Sequence, residues 1–176
     1  ARACGFGVIS SIAPSPIDAN EVWTGSDSGV VEVTRDGGTH WSEVTPKGLP
    51  AWAKVASIDV SALEPGVAYV AADNHRQDDP APHIWRTADG GRSWREIVRG
   101  LPSDHSVLVV RADPQRRGLL YAGTDNGVGV AGEVCSRVQA RQLDLPTAIV
   151  NDLLVHDNDL IAAGEGRAIW VLDDVT

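Results

Sequence analysis

The 176-residue sequence contains no methionine, one phenylalanine and two tyrosines. Because methionine is absent, Ala1 is not a native translation start, and we expect the chain to be a processed or excised part of a longer protein. No apolar run approaches the roughly 18 residues of a membrane helix, and no signal peptide is visible. The sequence therefore predicts no membrane span.

Basic residues are also scarce, because 15 lysines and arginines stand against 24 acids and give a net charge of −9. Phosphate binding needs a basic face, so the composition excludes nucleic acid as the main partner. The sequence has no Gly-x-Ser-x-Gly, P-loop or His-Glu-x-x-His site. No segment keeps a helical apolar period over ten residues. We accordingly predict no cofactor and few helices.

Turn-forming residues are abundant, with 18 glycines and 10 prolines, and internal repeats lie between the turns. An octapeptide at 34–41 recurs at 87–94, and a Leu-Pro pair follows at 49–50, 101–102 and 145–146. Short strands rich in Val, Ile, Trp and Thr fill each repeat, and four strands in about 40–50 residues are typical of a propeller blade. We predict one all-β domain over 1–176, a β-propeller of about four blades, complete or incomplete. The predicted blades are 8–50, 51–102, 103–146 and 147–173.

The repeated octapeptides resemble the Asp-box, or bacterial neuraminidase (BNR) repeat, Ser/Thr-x-Asp-x-Gly-x-Thr/Ser-Trp. The matching positions are Thr34, Asp36, Gly38 and Trp41, then Thr87, Asp89, Gly91 and Trp94. The resemblance implies a structural motif between the third and outermost strands, where Asp accepts backbone N–H groups, Gly supplies a positive φ and Trp inserts between sheets. His40 departs from the pattern, and a third copy within 129–141 is decayed.

The wider resemblance is to large bacterial BNR-repeat proteins labelled glycosyl-hydrolase-like, and more distantly to sortilin-type and xyloglucanase propellers. It is carried by the segments 15–18, 36–38, 45–50 and 168–174. It implies a longer parent, a secreted or periplasmic location, and a carbohydrate or protein ligand at the strand-loop face. The Arg-Ile-Pro segment of sialidases is missing, and both tyrosines occupy strand positions. A glycosidase would need two carboxylates about 5–9 Å apart, which the sequence does not select.

One acid follows the second strand of every predicted blade. These acids are Asp27, Asp73, Asp125 and Glu165. On one propeller face, four carboxylates would bind a cation, sugar hydroxyls or a basic peptide. The alternative is that they only form hairpin turns, because Asp-Asn-Gly and Asp-Ser-Gly are favoured there.

Blade 2 carries an insertion at 74–83, and inserted loops often carry function. Its metal-capable residues are His75, Asp78, Asp79 and His83, but their spacing matches no zinc pattern. The alternative is a loop that is solvated or contacts a ligand, in which His75 and Arg76 would take part.

Three further positions have two interpretations each. Trp52, between blades 1 and 2, either stacks on a ligand such as a sugar or covers the adjacent sheet. Arg167 pairs either with a ligand carboxylate or with the acids that follow it. Cys4 and Cys135 form either a disulfide of an exported protein or two free thiols.

The sequence thus leaves three functions open. The first is a non-catalytic binding or scaffold module for carbohydrate or protein. The second is a fragment of a glycoside-hydrolase-like enzyme that acts with two carboxylates. The third is a half-propeller whose open edges pair with another copy.

Overall fold

The computed structural model describes residues 7–99, 101–132, 147–166, 169–173 and 175. Within them the chain forms fourteen strands and one short 3₁₀ turn, His75–Gln77. The strands are β1 (Ile9–Pro14), β2 (Val22–Ser26), β3 (Val31–Thr34), β4 (Ser42–Glu43), β5 (Lys54–Val60), β6 (Ala68–Asn74), β7 (Asp79–Thr87), β8 (Arg95–Glu96), β9 (Val107–Ala112), β10 (Leu119–Thr124), β11 (Gly127–Gly132), β12 (Val150–His156), β13 (Asp159–Gly164) and β14 (Ile169–Leu172).

The strands form four antiparallel sheets in which every strand pairs with the next one along the chain. Blade 1 holds β1–β4, blade 2 holds β5–β8, blade 3 holds β9–β11 and blade 4 holds β12–β14. The innermost strands β1, β5, β9 and β12 pack successively against one another. The predicted all-β propeller of about four blades is confirmed. No helix in the described ranges is long and apolar enough to cross a bilayer.

Each innermost strand carries a β-bulge at the same position of the repeat. The register shifts lie between Ile9 and Ser11 and between Val55 and Ser57, with corresponding shifts in β9 and β12. The extra residues are Ser10, Ala56, Leu108 and Asn151. A bulge bends its strand and re-aims a side chain. Here the bulges turn four equivalent side chains toward the propeller axis, where all four line one cavity.

Side chains join the unpaired edges of neighbouring innermost strands. Ser10 Oγ donates to the carbonyl of Val55 over 2.7 Å, and Ser11 Oγ accepts the N–H of Ile58 over 3.0 Å. Between blades 2 and 3, Ser57 Oγ donates to the carbonyl of Val110 over 3.5 Å, and the Asp59 carboxylate accepts the N–H of Ala112 over 2.7 Å. These bonds satisfy backbone groups that an edge strand otherwise leaves unpaired.

Apolar side chains fill the spaces between successive blades. We call the side of a blade toward the preceding blade its rear face, and the side toward the next blade its forward face. Trp23, Val31 and Val33 on the forward face of blade 1 are buried against Val55 and Ile58 on the rear face of blade 2. Equivalent clusters lie between blades 2 and 3 and between blades 3 and 4. The core is therefore three successive interfaces rather than one central mass.

The first octapeptide forms the turn between β3 and β4. Thr34 Oγ1 donates to Asp36 Oδ1 over 2.8 Å and accepts the N–H of Gly38 over 2.9 Å. The backbone N–H of His40 donates to Asp36 Oδ1 over 2.9 Å, and the His40 ring lies 2.7 Å from Oδ2. These hydrogen bonds, the backbone one foremost, hold the pKa of Asp36 well below its usual range. His40 thus occupies the hydroxyl position of the pattern and still contacts the carboxylate.

The second octapeptide repeats this arrangement between β7 and β8. Ser93 donates to Asp89 through its hydroxyl over 2.6 Å and through its N–H over 2.9 Å, while Thr87 donates over 2.9 Å. Hydrogen bonds from the Ser93 hydroxyl first, and then from its backbone N–H, lower the pKa of Asp89 to about 2. The carboxylate is therefore ionised whenever the turn is formed at neutral pH.

The second turn also docks onto blade 1. Trp94 Nε1 donates to the carbonyl of Val44 over 2.7 Å, and its ring meets Trp23 edge-on at 6.1 Å. Gly91 has a φ of 88°, and a Cβ built there would lie 2.8 Å from Cβ of Val44. Only glycine fits because the turn needs both the positive φ and the close approach.

Gly91→Ala is expected to destabilise the fold more than Gly166→Ala. Gly166 has a similar φ of 75°, but nothing lies within 4 Å of its built Cβ. Both variants carry the strain of a left-handed residue, about 1–2 kcal/mol, while Gly91→Ala adds overpacking against Val44 of about 1–3 kcal/mol. Urea unfolding curves measure the difference, and equal losses in the two variants would contradict the docking of this turn onto blade 1.

Candidate functional site

The four acids that follow the second strands lie at one rim of the propeller, which we call the acidic rim. Each has its backbone beside the residue that begins or just precedes the innermost strand of its own blade. The pairs are Asp27 with Val8, Asp73 with Lys54, Asp125 with Ser106, and Glu165 with Ile149. The repeat therefore places all four acids at equivalent positions, as their spacing in the sequence suggests.

Two acids at the ends of the rim differ in how they are held. Asp27 Oδ1 accepts the N–H of Val8 over 2.8 Å, so this carboxylate fastens the start of β1 to the turn after β2. Glu165 is exposed. Asp27 thus carries the turn-forming role, whereas Glu165 presents its side chain to solvent.

The two middle acids are each paired with a histidine of their own blade. The buried carboxylate of Asp73 lies 2.6 Å from Nδ1 of His75 and accepts the N–H of the same residue over 3.1 Å. Asp125 Oδ1 lies 3.0 Å from Nδ1 of His105. His75 is exposed and Arg76 follows it on the surface. The rim is therefore a row of fixed acids and imidazoles rather than a cage of free carboxylates.

The insertion at 74–83 is organised around Asp79. This carboxylate accepts hydrogen bonds from Asn74 Nδ2 over 2.9 Å and from the N–H of Ala81 over 3.1 Å, and it lies 2.9 Å from Nε2 of His83. The Asn74 bond first, and then the His83 contact, lower the pKa of Asp79. The His83 ring stacks on Trp85 at 5.7 Å. The insertion therefore consists of the 3₁₀ turn His75–Gln77 and the first half of β7, and internal hydrogen bonds hold it together.

The four metal-capable side chains of the insertion are split between separate contacts. His75 faces Asp73, His83 faces Asp79, and Asp78 ends the 3₁₀ turn with a φ of 57°. In the described part of the chain, no group of three or more His, Cys, Asp or Glu side chains is arranged to hold a metal ion.

Trp52 is exposed on the link between blades 1 and 2. Its side chain is 67% exposed and its φ is 68°, a region that bulky residues rarely occupy. The link is held in place, because Ala53 is buried and donates its N–H to Pro50 over 3.1 Å, and Gln77 donates to Ala51 over 2.9 Å. Trp52 therefore does not cover the adjacent sheet.

The position of Trp52 brings it to the acidic rim. A Cβ built on Gly29 would lie 3.1 Å from the carbonyl oxygen of Ala53, so the turn after Asp27 packs against this link. The link leads into β5, whose first residue pairs with Asp73. The link that carries the exposed Trp52 thus runs from beside the turn after Asp27 to the strand position opposite Asp73.

A cavity of about 290 Å³ lies on the propeller axis, and no sequence motif predicts it. All four innermost strands line it, and its polar wall includes Ser10, Ser11 and Ser57. Arg111 Nη2 donates to Asp152 over 2.7 Å across blades 3 and 4. A repeat alignment reveals the Ser-Ser and Ala-Ser pairs at 10–11 and 56–57, but the bulges that aim them inward leave no separate signal in the sequence.

Asp59 lies beside this wall, in the contact between blades 2 and 3. Its Oδ2 accepts the N–H of Ala112 over 2.7 Å. Burial raises the pKa of Asp59 to about 6, although the Ala112 bond and the Arg111 charge oppose the rise. Asp59 is therefore a titratable hydrogen-bond acceptor at an interface formed mainly by apolar side chains.

Several predicted positions lie outside the described residues. These are Arg167, Cys4 and Cys135, together with residues 133–141 of the decayed third octapeptide.

No protein-family model matches this chain, and no curated protein matches it. Solved propeller structures are similar in fold. YCF48 bound to D1 peptide has a TM-score of 0.69 at 18% identity, over 97% of this chain and 52% of that one. The GH74 enzyme of Niastella koreensis has a TM-score of 0.71 at 15% identity, over 94% of this chain and 28% of that one.

A third similar structure is the β-propeller domain of Myceliophteria thermophila Cps50 (Swd1), with a TM-score of 0.69 at 13% identity, over 93% of this chain and 51% of that one. The chain spans about half the length of the YCF48 and Cps50 structures and about a quarter of the GH74 enzyme. These likenesses show the propeller fold.

Asp59→Asn is expected to stabilise the protein at pH 8 and to have little effect at pH 4. Because the pKa is raised on folding, the protonated form stabilises the fold below about pH 4, and that contribution is lost as pH rises through about 6. The asparagine carbonyl still accepts the Ala112 N–H and carries no charge. At about 1.4 kcal/mol per pKa unit, the gain at pH 8 is up to about 3 kcal/mol.

Thermal unfolding at pH 4 and pH 8 measures this effect. Asp157→Asn is the control, because the Asp157 carboxyl is exposed and asparagine tolerates the left-handed φ of this position. A pH-independent change in Asp59→Asn, or destabilisation at pH 8, would show that the buried charge is not costly.

Proposed function

We propose that this chain is a non-catalytic β-propeller module that binds an extended basic segment of a partner protein along the acidic rim. Trp52 is the central contact. The observation that carries the proposal is the exposure of Trp52 in a backbone conformation that tryptophan rarely adopts.

The left-handed conformation of Trp52 belongs to the turn in which the N–H of Ala53 donates to the carbonyl of Pro50, a position where glycine or asparagine is usual. A left-handed backbone costs a bulky residue free energy, and an exposed indole forgoes the stabilisation that burial would give. Strained residues that the surroundings hold in place cluster at binding sites. The buried Ala53 and the Gln77 bond fix this link, so the indole is presented ready-ordered, which lowers the entropy lost on binding.

Charge favours a basic segment over a neutral ligand. The chain carries a net charge of −9, and the rim aligns one acid per blade. Such a row attracts lysine and arginine side chains and accelerates encounter. A peptide is the ligand named for one similar propeller, YCF48 bound to D1 peptide. A carbohydrate stacked on Trp52 is the alternative ligand for the same face.

The hydrogen bonds of Asp36 and Asp89 support the Asp-box interpretation of both octapeptides. We infer blades over 8–50, 51–102, 103–146 and 147–173, and a secreted or periplasmic location as the Asp-box resemblance implies.

The glycosidase alternative has less support. Among the residues described, the lining of the axial cavity includes one carboxylate, Asp152, and Arg111 is bound to it. The mechanism needs a second carboxyl group in the same cavity to act as the acid or the nucleophile. The rim acids Asp73 and Asp125 each face a histidine of their own blade.

Trp52→Ala is expected to weaken binding of basic peptides by at least about tenfold, the usual effect of removing an aromatic hot spot. The measurement is a peptide array in which net charge is varied from acidic to basic, followed by titration of the best basic peptides. Raising the salt concentration should weaken the same binding, because screening reduces the attraction of the rim.

Ile17→Ala is the control variant, because Ile17 is an exposed apolar residue in the β1–β2 loop, at the end of the blade opposite the rim. It should leave peptide binding unchanged. A glycan array is probed in parallel. Binding to glycans alone, lost in Trp52→Ala, would overturn the peptide proposal in favour of carbohydrate, and no response in either array would overturn both.

A further inference from the structure

The rear face of blade 1 has isoleucines at positions of an interior interface, but none of the described blades packs against it. Position by position, Ile9 and Ile12 correspond to Val55 and Ile58 in blade 2, as the shared bulge register shows. The blade 2 residues, and their counterparts Val107, Val110, Val150 and Leu153, are at most 4% exposed. Ile9 is 57% exposed and Ile12 is 64% exposed.

The forward face of blade 4 also has exposed apolar side chains at positions that are buried in the other blades. Ile169 corresponds to Val31 in blade 1, Ile84 in blade 2 and Val128 in blade 3, all of which are buried against the next blade. Ile169 is 68% exposed. Leu154 and Val171 on the same face are also more than half exposed.

The two octapeptide turns show the same difference at the outer edge. Trp94 and Gly91 pack against Val44 of the preceding blade. Trp41, the counterpart of Trp94 in blade 1, is 42% exposed, and nothing lies within 4 Å of a Cβ built on Gly38. The motif of blade 1 is therefore shaped to dock onto a preceding blade.

Both ends consequently have the surface of interior blades. A repeat array that ends in solvent carries terminal repeats with a polar outer face. On the rear face of blade 1, Thr24 and Glu32 stand where blade 2 has Val70 and Trp85, but Ile9 and Ile12 remain exposed at positions whose counterparts are buried. The forward face of blade 4 likewise keeps isoleucine, leucine and valine exposed. Each interface between successive blades joins a forward face to a rear face. The chain therefore carries both surfaces of such an interface, the forward face of blade 4 and the rear face of blade 1.

We propose that two copies of this chain assemble head to tail into one ring, the forward face of blade 4 in each copy packing on the rear face of blade 1 in the other. Such a heterologous contact made twice closes with two-fold symmetry. Two copies supply about eight blades, within the four to eight typical of propellers, whereas three would exceed that range. The proposal is independent of the peptide-binding proposal, because Trp52 belongs to the interior junction between blades 1 and 2.

The arrangement accounts for the innermost strands as well. Ser10 and Ser11 in blade 1 bond to the backbone of blade 2, and the corresponding residues of blade 4 are Asn151 and Asp152. Both are exposed polar side chains. In the proposed ring they face the start of the partner copy's β1, as Ser10 and Ser11 face the start of β5.

Light scattering coupled to size exclusion tests the proposal on the chain itself. The expected mass is twice that of the monomer. Ile12→Asp and Ile169→Asp should each weaken dimerisation on the order of 100-fold or more, because each buries an unpaired charge at both junctions. Ile17→Asp is the matched control, an exposed isoleucine outside both end faces, and should remain dimeric. Far-ultraviolet circular dichroism verifies that each variant is folded.

Mixing the two disrupted variants separates a head-to-tail ring from other assemblies. In a mixed pair, one junction carries both aspartates and the other carries none, so Ile12→Asp with Ile169→Asp should recover dimer that neither forms alone. A dimer built from two rear faces would survive Ile169→Asp and would overturn the proposal. A wild-type monomer at all concentrations would also overturn it, and so would open chains larger than a dimer.

Discussion

The structure depends on one constraint, which is that each blade has apolar side chains on both faces of a sheet only three or four strands wide. A blade of this kind cannot bury both faces alone, so its stability comes from its neighbours. Blade 2 shows this most completely, since every residue of β6 is buried. Its two faces contribute Val70 to the cluster with blade 1 and Tyr69 to the cluster with blade 3. The alternation of strand side chains therefore determines the order of the blades around the axis.

The same packing decides where polar groups occur. Close approach of the innermost strands leaves backbone edges that water reaches poorly, and the bulges bring short polar side chains to those edges. Ser11 and Asp59 each accept a backbone N–H from the following blade. Asp59 is the less favourable choice, because its burial raises the pKa to about 6 and its charge costs stability above that pH. The serines that bond to these strand edges also line the axial cavity, so the cavity wall is polar because the edges require hydrogen-bond partners.

Sequence repeats predict much of this arrangement, because the repeat unit is also the packing unit. The strand order, the turn formed by Asp36 or Asp89 and the phase of the four rim acids all follow from aligning the repeats. What the repeats do not predict depends on neighbours. Trp41 and Trp94 occupy the same motif position, yet only Trp94 has a blade to pack against. The Arg111–Asp152 bond joins positions of different type in two blades, so no repeat alignment pairs them.

The rim separates the residues that stabilise the fold from those that are free to bind. Asp27 and Asp73 are engaged in hydrogen bonds within their own blades, so their charge acts on a ligand at a distance and mainly affects the rate of encounter. Exposed ion pairs contribute at most about 1 kcal/mol each, so such a row supplies little affinity by itself. In the proposed binding mode, affinity comes from apolar contact with Trp52, which is exposed on the link beside the turn after Asp27. That role would account for an indole in a backbone conformation that glycine adopts at lower cost.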